Sequence, residues 1–572
     1  MDTRYLKKQG FTFLSSLVNN KKVFKLTLFV IALIVLWFVL AISSRSYLET
    51  IPTTGGSMDI GLVGKPRFVN PVLAFSQTDK DLTQLIFSGL FKKNAEGEVV
   101  PDLAESYTVS EDRETYTVTI RDNAIFHDGE PVTAADVLFT ISLIQDPQIQ
   151  SPLQARWIGV QATAVDEKTV QFQLDTAYDF FLQNATIGIL PRHQWDSVVT
   201  EEIPFSLLNI RPVGAGPYKF ETLVRDNNQS IQSYDLLAFE NYFPHEPYIS
   251  EIHVKLFDDY PSAYSALRSG NIDSLSSLSP EFAYEEELNQ NLYPIPFSRV
   301  FGLFFGPDED KPALREDEVR LAIETAIDRQ EIIATIFNNF AQSADSPVST
   351  FSPWYVPQEA DDVTIPSTEE ASRILESNGW IKDELGLYTK NLGGSESTLE
   401  FTLHVPESEE MIRVAEYLKG QLAEAGIGIQ IIALPISELN LDVIRRRDYQ
   451  LLLFGLVSGY HPDLYSFWHS SGRLDPGINI TQYTNSQVDD NLEDIRRGST
   501  SSENIAEWYA RIQNTLRSER PAIFIYSPDL IFTLPASVQG VTLRHLNDEE
   551  QRFSSISDWY IQTEKILPLF NR

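Results

Sequence analysis

One uncharged apolar run near the N-terminus limits how this chain can fold. Residues 27–43 read TLFVIALIVLWFVLAIS, the only long run that is both uncharged and apolar. A helix rises about 1.5 Å per residue, so this run, with the apolar residues beside it, is long enough to cross a hydrocarbon core about 30 Å thick. The sequence therefore predicts a transmembrane anchor at residues 26–45.

The charges before this run predict its orientation. A single acid, Asp2, stands against six basic residues, which are Arg4, Lys7, Lys8, Lys21, Lys22 and Lys25. Because basic flanks stay in the cytoplasm, residues 1–25 are predicted to be cytoplasmic and residues 46–56 to form a short tether. The chain is thus predicted to be a single-pass protein of the cell membrane with its bulk on the extracytoplasmic side.

A cleaved signal peptide is the alternative interpretation of this segment. Ala41-Ile42-Ser43 offers a weak small-x-small cleavage site. However, the apolar run exceeds the roughly 7–15 residues of a signal-peptide core, and the basic region before it is long. The pattern favours a retained anchor.

The part of the chain beyond the basic segment is strongly acidic and has no cysteine. The chain holds 45 Lys and Arg against 80 Asp and Glu, a net charge of −35. Residues 26–572 keep 39 basic and 79 acidic side chains, a net of −40. Such a surface repels phosphate backbones, so nucleic acid is not an expected partner. The absence of Cys excludes disulfides, Cys-ligated zinc, iron–sulfur clusters, thiol catalysis and lipid attachment through Cys.

Hydrophobic periodicity predicts a mixed α/β body. Tyr116, Val118 and Ile120 alternate with polar residues, as in a half-buried strand. Farther on, a strand from Leu399, a helix over about residues 409–425 ending at Gly426, and a second apolar strand form a β-α-β unit, and another strand follows at 450–457. With no long linker after the tether, the pattern predicts an α/β protein of at least two lobes.

Catalytic motifs are lacking in the sequence. It contains no nucleotide P-loop, no H-E-x-x-H and no G-x-S-x-G, and none of its eight His are spaced by three or four residues. His127-Asp128-Gly129-Glu130 could supply a base beside paired carboxylates, but Asp-Gly between apolar runs favours a tight turn. Pro217 after Gly214-Ala215-Gly216 argues against a dinucleotide loop. No catalytic residue, metal site or cofactor is predicted, and the chain is not expected to be an enzyme.

Five stretches in order resemble one family. Two lie in the segment from Gly89, namely PDLAESY (101–107) and FHDGEPVTAADV (126–137). The other three are PVGAGPYKF (212–220), VRLAIETAIDRQEII (319–333), and the late helix and strand AEWYARIQNTLRSERPAIFIY (506–526). Together they resemble the oligopeptide/dipeptide/nickel-type solute-binding proteins of ABC transporters, bacterial solute-binding protein family 5. The resemblance extends over about residues 57–570.

The resemblance implies a two-lobed, periplasmic-binding-protein-like clamshell with an extra domain. By this likeness, the core of lobe one lies at 57–86, 212–295 and 540–572. The extra domain lies at 87–211, and lobe two at 296–539. Ligand would bind between the lobes, and hinge motion would close them.

The same resemblance implies ligand-binding residues in the cleft. Peptide-binding relatives often carry an Asp in a G-W-x-x-D stretch that holds the peptide ammonium group, and Gly459 occupies that position here. Asp463 is the candidate substitute, with a helix N-cap as its equal alternative. The other candidates lie in loops that line the cleft in relatives; the full set is Asn70, Phe75, Trp354, Tyr355, Gly459, Tyr460, Asp463, Phe467 and Trp468.

The predicted function is therefore extracytoplasmic binding of an oligopeptide for an ABC importer. Its expected partners are a peptide-like ligand, permease and ATPase subunits, and the membrane through the N-terminal helix. Binding of an oligosaccharide or metal chelate, and ligand sensing without transport, are alternatives on the same fold. A membrane-anchored hydrolase on this scaffold is a third hypothesis, which turnover assays would test.

Overall fold

The computed structural model describes residues 25–26, 28–35, 49–283, 290–307, 311–358, 365–498 and 501–566. Residues 28–35 are helical. Across the described ranges, no helix is both long and apolar enough to span a bilayer. Much of the anchor predicted at 26–45, namely residue 27 and residues 36–45, lies outside those ranges.

The structure divides into a small terminal unit and a large unit of residues 56–559. The terminal unit contains an antiparallel strand pair in which Glu49 lies opposite Ile566 and Thr53 opposite Gln562. The segment predicted to be a polar tether therefore contains a strand.

The strands of the described residues are numbered in chain order. They are β1 (Glu49–Thr53), β2 (Ser57–Val63), β3 (Phe91–Lys93), β4 (Val99–Pro101), β5 (Ala104–Val109), β6 (Thr115–Ile120), β7 (Val160–Ala164), β8 (Thr169–Leu174), β9 (Tyr218–Arg225), β10 (Ile231–Ala238), β11 (Glu251–Phe257), β12 (Ser274–Leu275), β13 (Gln290–Pro296), β14 (Arg299–Phe305), β15 (Ala341–Ser343), β16 (Ile381–Lys382), β17 (Tyr388–Leu392), β18 (Ser395–Thr398), β19 (Glu400–Pro406), β20 (Gly428–Leu434), β21 (Leu451–Val457), β22 (Ala522–Pro535) and β23 (Gln562–Ile566).

The α-helices of four or more residues in the large unit are named by their ranges. They are Gln77–Ile86, Ala134–Gln145, Phe181–Asn184, Arg192–Trp195, Tyr260–Arg268, Asp317–Ala326, Arg329–Ile336, Thr368–Ser377, Glu409–Glu424, Tyr465–Trp468, Ser486–Arg497 and Ser502–Glu519.

Three larger sheets organise the large unit. One has the order β12-β2-β11-β10-β9, a second β5-β6-β8-β7, and a third β13-β22-β14-β21-β19-β20 with β15 beside β22. We call the part built on the first two sheets the first lobe, and the part built on the third sheet the second lobe. The segment Asn547–Ser557, near the end of the chain, lies against the helix Gln77–Ile86 and is counted with the first lobe.

The β-α-β prediction is confirmed in the second lobe. β19 and β20 are parallel, with Phe401 opposite Ile429, and the helix Glu409–Glu424 connects them. Ser408 caps this helix by accepting a hydrogen bond from the Met411 amide, and Gly426 adopts the left-handed backbone (φ +80°) that ends it. The apolar face of the helix therefore packs on the sheet.

The strand prediction in the first lobe is also confirmed. Tyr116, Val118 and Ile120 on β6 are all buried, and β6 pairs with β5 on one side and β8 on the other. The side chains of Phe172 and Phe181 pack together with ring centroids 5.1 Å apart. This core fixes the loop after β8, which reaches the candidate site.

The His127 segment forms a turn, as its sequence favours. Gly129 has a φ of +93°, and its amide donates to the Phe126 carbonyl. The imidazole of His127 bridges the glycine loop: its Nδ1 accepts from the Gly214 amide at 3.2 Å, and its Nε2 lies 3.0 Å from the Gly216 carbonyl. A Cβ at Gly214 would lie 2.1 Å from the Ile86 carbonyl oxygen, so this loop requires glycine.

Acid should destabilise the protein through His127. Burial lowers the pKa of His127 from 6.5 to about 4, so between these values the unfolded chain binds a proton that the folded chain does not. Stability is therefore retained above pH 6.5 and falls as the pH drops toward 4, by about 3 kcal/mol. In urea titrations, His127→Gln, which keeps a donor and an acceptor, should show a shallower loss between pH 6.5 and 4; an unchanged slope would contradict this assignment.

Candidate functional site

A cavity of about 970 Å³ lies between the two lobes. The first lobe contributes the end of the helix Gln77–Ile86, the loop after β8 and the segment 547–557, and the second lobe contributes β21 and the loop that follows it. Ten charged residues line the cavity: Lys80, Lys92, Lys93, Asp102, Arg156, Asp175, Asp463, Arg496, Asp548 and Glu550. Its volume is near the upper end of the range for ligand sites.

Among the described residues, one edge of β21 has no strand partner beyond Leu452, and this edge faces the cavity. Along its whole length β21 pairs with β14, but only Leu451 and Leu452 pair with β19. Residues 455–459 line the cavity. Within the described part of the chain, the amides and carbonyls on this side are therefore available to a ligand with an extended backbone.

Three of the nine residues predicted to bind ligand line the cavity: Gly459, Asp463 and Phe467. Gly459 has a φ of +73° and turns the chain at the end of β21. Phe467 is half-buried beside the second-lobe core.

Asn70 and Phe75 lie near the cavity but do not line it. Asn70 is fully buried, where its Oδ1 accepts from the Val72 amide and its Nδ2 donates to Asn209. It thereby fixes the loop that places Pro71 and Ala74 at the cavity wall. Phe75 is 78% exposed.

The aromatic residues Trp354, Tyr355 and Tyr460 also stand outside the lining. Trp354 donates from Nε1 to Nδ1 of His461 at 2.8 Å, and so orients a residue that does line the cavity. The Tyr355 hydroxyl donates to Asp345. Tyr460 stacks on His545, with a centroid distance of 4.8 Å.

Trp468 belongs to the hydrophobic core of the second lobe. It is 1% exposed and packs against Phe304 and Phe524.

The carboxylate of Asp463 is already paired within its own lobe. Arg496 donates to it from Nη2 at 2.6 Å and from Nε at 3.1 Å. The Tyr465 amide also donates to it, as in the N-cap alternative, although the helix itself begins at Tyr465. From the first lobe, the Tyr178 hydroxyl donates at 3.2 Å.

Two further pairs neutralise charges at the first-lobe side of the cavity. Lys92 lies 3.4 Å from Asp102, and Lys93 lies 2.7 Å from Asp548. Lys93 lowers the pKa of Asp548, whereas burial raises the pKa of Asp102 despite its cation.

The remaining lining charges make no ion pair with the described residues. They are Lys80, Arg156, Asp175 and Glu550. Glu550 accepts one hydrogen bond, from Nε2 of Gln77 at 3.2 Å, and burial, followed by the charge of Asp548, raises its pKa. No set of three metal-ligating side chains occurs among the described residues.

Most of these charged residues are not predicted from the sequence. Glu550 follows the dipeptide Asp548-Glu549 near the chain end, where a run of acids indicates only a solvated surface. Arg496 lies 33 residues from Asp463 and meets it only through the packing of two helices. Neither contact leaves a local sequence pattern.

The comparisons assign the chain to a family. Residues 98–475 match the model described as bacterial extracellular solute-binding proteins, family 5 Middle. The chain belongs to this family, which confirms the resemblance found in its motifs.

Relatives and solved structures extend the match over most of the chain. The oligopeptide-binding protein AppA of Bacillus subtilis is 25% identical over 528 residues, 89% of this chain and 92% of that protein. The structure of AppA with a nonapeptide superposes with a TM-score of 0.69 at 23% identity, covering 90% of this chain and all of that one. The substrate-binding protein CtaP of Listeria monocytogenes gives a TM-score of 0.74 at 26% identity, covering 89% and 100%.

A third structural neighbour has a different ligand. NikZ of Campylobacter jejuni, in complex with Ni(L-His), gives a TM-score of 0.69 at 22% identity and covers 88% of this chain and 99% of that one. These neighbours are two-lobed binding proteins of mixed α/β content, so the predicted fold class is confirmed in its two lobes.

Proposed function

We propose that this chain is the extracytoplasmic binding component of an ABC importer, closing its lobes around a peptide and delivering it to a membrane permease. The observation that carries the proposal is the unpaired edge of β21 along a cavity between the lobes. The main chain of an extended peptide can hydrogen-bond to the free amides and carbonyls of this edge, whatever side chains the peptide carries. The AppA and CtaP matches support the same function.

The unpaired lining charges suit a ligand that carries both signs. Lys80 and Arg156 are available to a carboxylate, and Glu550 to an ammonium group. Asp463 is a poorer ammonium anchor than Glu550, since Arg496 already neutralises it. Gly459 and Phe467 would contact the ligand, while Asn70, Trp354 and Tyr460 would shape the cavity from behind. The arrangement provides binding without covalent chemistry.

The N-terminal segment is proposed as a retained anchor that holds the lobes outside the membrane. Residues 28–35 of this segment are helical, and large apolar side chains such as Leu28, Phe29 and Ile31 are more than half exposed. The domain limits implied by the resemblance remain part of this proposal.

Native mass spectrometry of the full chain, purified in mild detergent without refolding, tests the ligand class. We expect a ladder of peptide masses that is released on acidification and sequenced by fragmentation. A single glycan or metal-chelate mass would contradict the peptide proposal while leaving family membership intact. Incubating the protein with the released peptides should return them uncleaved; new cleavage products would support the hydrolase hypothesis instead.

A further inference from the structure

The loop after β8 crosses from the first lobe to the second at the cavity. Phe181 anchors the loop in the first lobe, where its ring packs on Tyr116 and Phe172. The three residues before it, Tyr178, Asp179 and Phe180, contact the second lobe. We call these three residues the clasp.

Each clasp residue makes a different contact. The Tyr178 hydroxyl donates to Oδ2 of Asp463 at 3.2 Å. The Asp179 amide donates to the Arg496 carbonyl at 3.0 Å. The Phe180 ring packs against the second-lobe core.

The second-lobe side of the contact is fixed independently of the clasp. Arg496 holds the Asp463 carboxylate by two donors and lies over the Tyr465 ring at 3.8 Å. The carbonyl of Pro462, the neighbour of Asp463, accepts a hydrogen bond from Tyr509 in the core. The acceptor is therefore preorganised, and the clasp meets it only when the lobes are close together.

We propose that the clasp is a closure latch, in which Asp463 serves as the acceptor that holds the lobes together. This inference deepens the function proposed above, because closure is the step that encloses the ligand. Tyr178 and Asp463 both line the cavity, so the latch forms part of the wall that closure completes. The latch stabilises the closed state by the same free energy whichever ligand is bound. It therefore raises the affinity for every ligand without selecting ligand chemistry.

The absence of Cys makes a direct distance measurement possible. Asp122→Cys in the first lobe and Glu438→Cys in the second, both at exposed positions, accept a donor and an acceptor dye in the full chain. Single-molecule energy transfer, recorded after dialysis and without added ligand, then reports the ratio of open to closed molecules.

Tyr178→Phe removes only the bridging hydroxyl and should raise the open-to-closed ratio about fivefold, as expected from the loss of one hydrogen bond. Asp463→Asn should raise it at least as much. Tyr465→Phe is the matched control: Arg496 lies over the Tyr465 ring as it does over that of Tyr178, but Tyr465 belongs to the second lobe, so the open-to-closed ratio of this variant should stay unchanged.

Two results would contradict the proposed latch. One is an open-to-closed ratio that Tyr178→Phe leaves unchanged, and the other is a ratio that Tyr465→Phe raises as much as Tyr178→Phe does. Because the measurement needs no ligand, it is independent of the peptide proposal. A chain that carries a glycan or a metal chelate in place of peptides, yet opens on Tyr178→Phe, would refute that proposal and support the latch.

Discussion

Asp81→Asn should lower the free energy of unfolding by about 3–5 kcal/mol, the cost of leaving one partner of a buried ion pair uncompensated. The Asp81 carboxylate accepts a hydrogen bond from Arg552, and the two side chains are 2% and 1% exposed. This pair attaches the helix Gln77–Ile86 to a segment more than 450 residues later in the chain. Urea unfolding followed by tryptophan fluorescence measures the change.

The double variant Asp81→Leu with Arg552→Met separates charge from packing. It removes both charges and keeps apolar volume, so it should lose less stability than Asp81→Asn alone. A loss below about 1 kcal/mol in Asp81→Asn would mean that the guanidinium of Arg552 finds another partner, and would contradict the interpretation of the pair.

Local sequence patterns predicted the secondary structure well where one helix or strand contains, or directly adjoins, all the residues that begin it, bury it and end it. The helix Glu409–Glu424 carries its N-cap, its apolar face and its terminating glycine within one short stretch. The helix Thr368–Ser377 likewise has its N-cap residue directly before it: the Ser367 side chain accepts a hydrogen bond from the Glu370 amide. These signals act between neighbours, so the sequence displays them directly.

Contacts between distant segments could not be predicted in this way. β22 runs unbroken over fourteen residues through Pro528, although a proline normally indicates an interruption. Pairing with β13, β14 and β15 along its length stabilises it. These partners lie about 180 or more residues away, so their contribution is invisible in the strand's own sequence.

The candidate site shows the same limit. The resemblance indicated the loop after β21, and Gly459, Asp463 and Phe467 do line the cavity. It could not indicate that Arg496 neutralises Asp463, or that Glu550 makes no ion pair with the described residues. The charge available to a ligand depends on these pairings, which only the folded chain defines.

Trp468→Ala should cost about 3–5 kcal/mol of stability, the range for removing a large aromatic side chain from a core. Its ring is 1% exposed and packs against Phe304, Phe524 and Tyr483. Trp468 does not line the cavity. At a temperature low enough for Trp468→Ala to stay folded, this variant should therefore bind the released peptide with unchanged affinity. Thermal unfolding and calorimetric titration measure the two quantities.

Two neighbouring substitutions distinguish a core role from a ligand role for this tryptophan. Trp468→Phe should cost clearly less than Trp468→Ala, since it keeps an aromatic ring and removes a buried Nε1 donor that has no acceptor among the described residues. Phe467→Ala, one residue earlier at the cavity wall, should weaken peptide binding more than it lowers stability. If Trp468→Ala instead abolished binding while leaving the unfolding temperature unchanged, Trp468 would be a ligand contact, as the family resemblance implies, and the packing argument would be wrong.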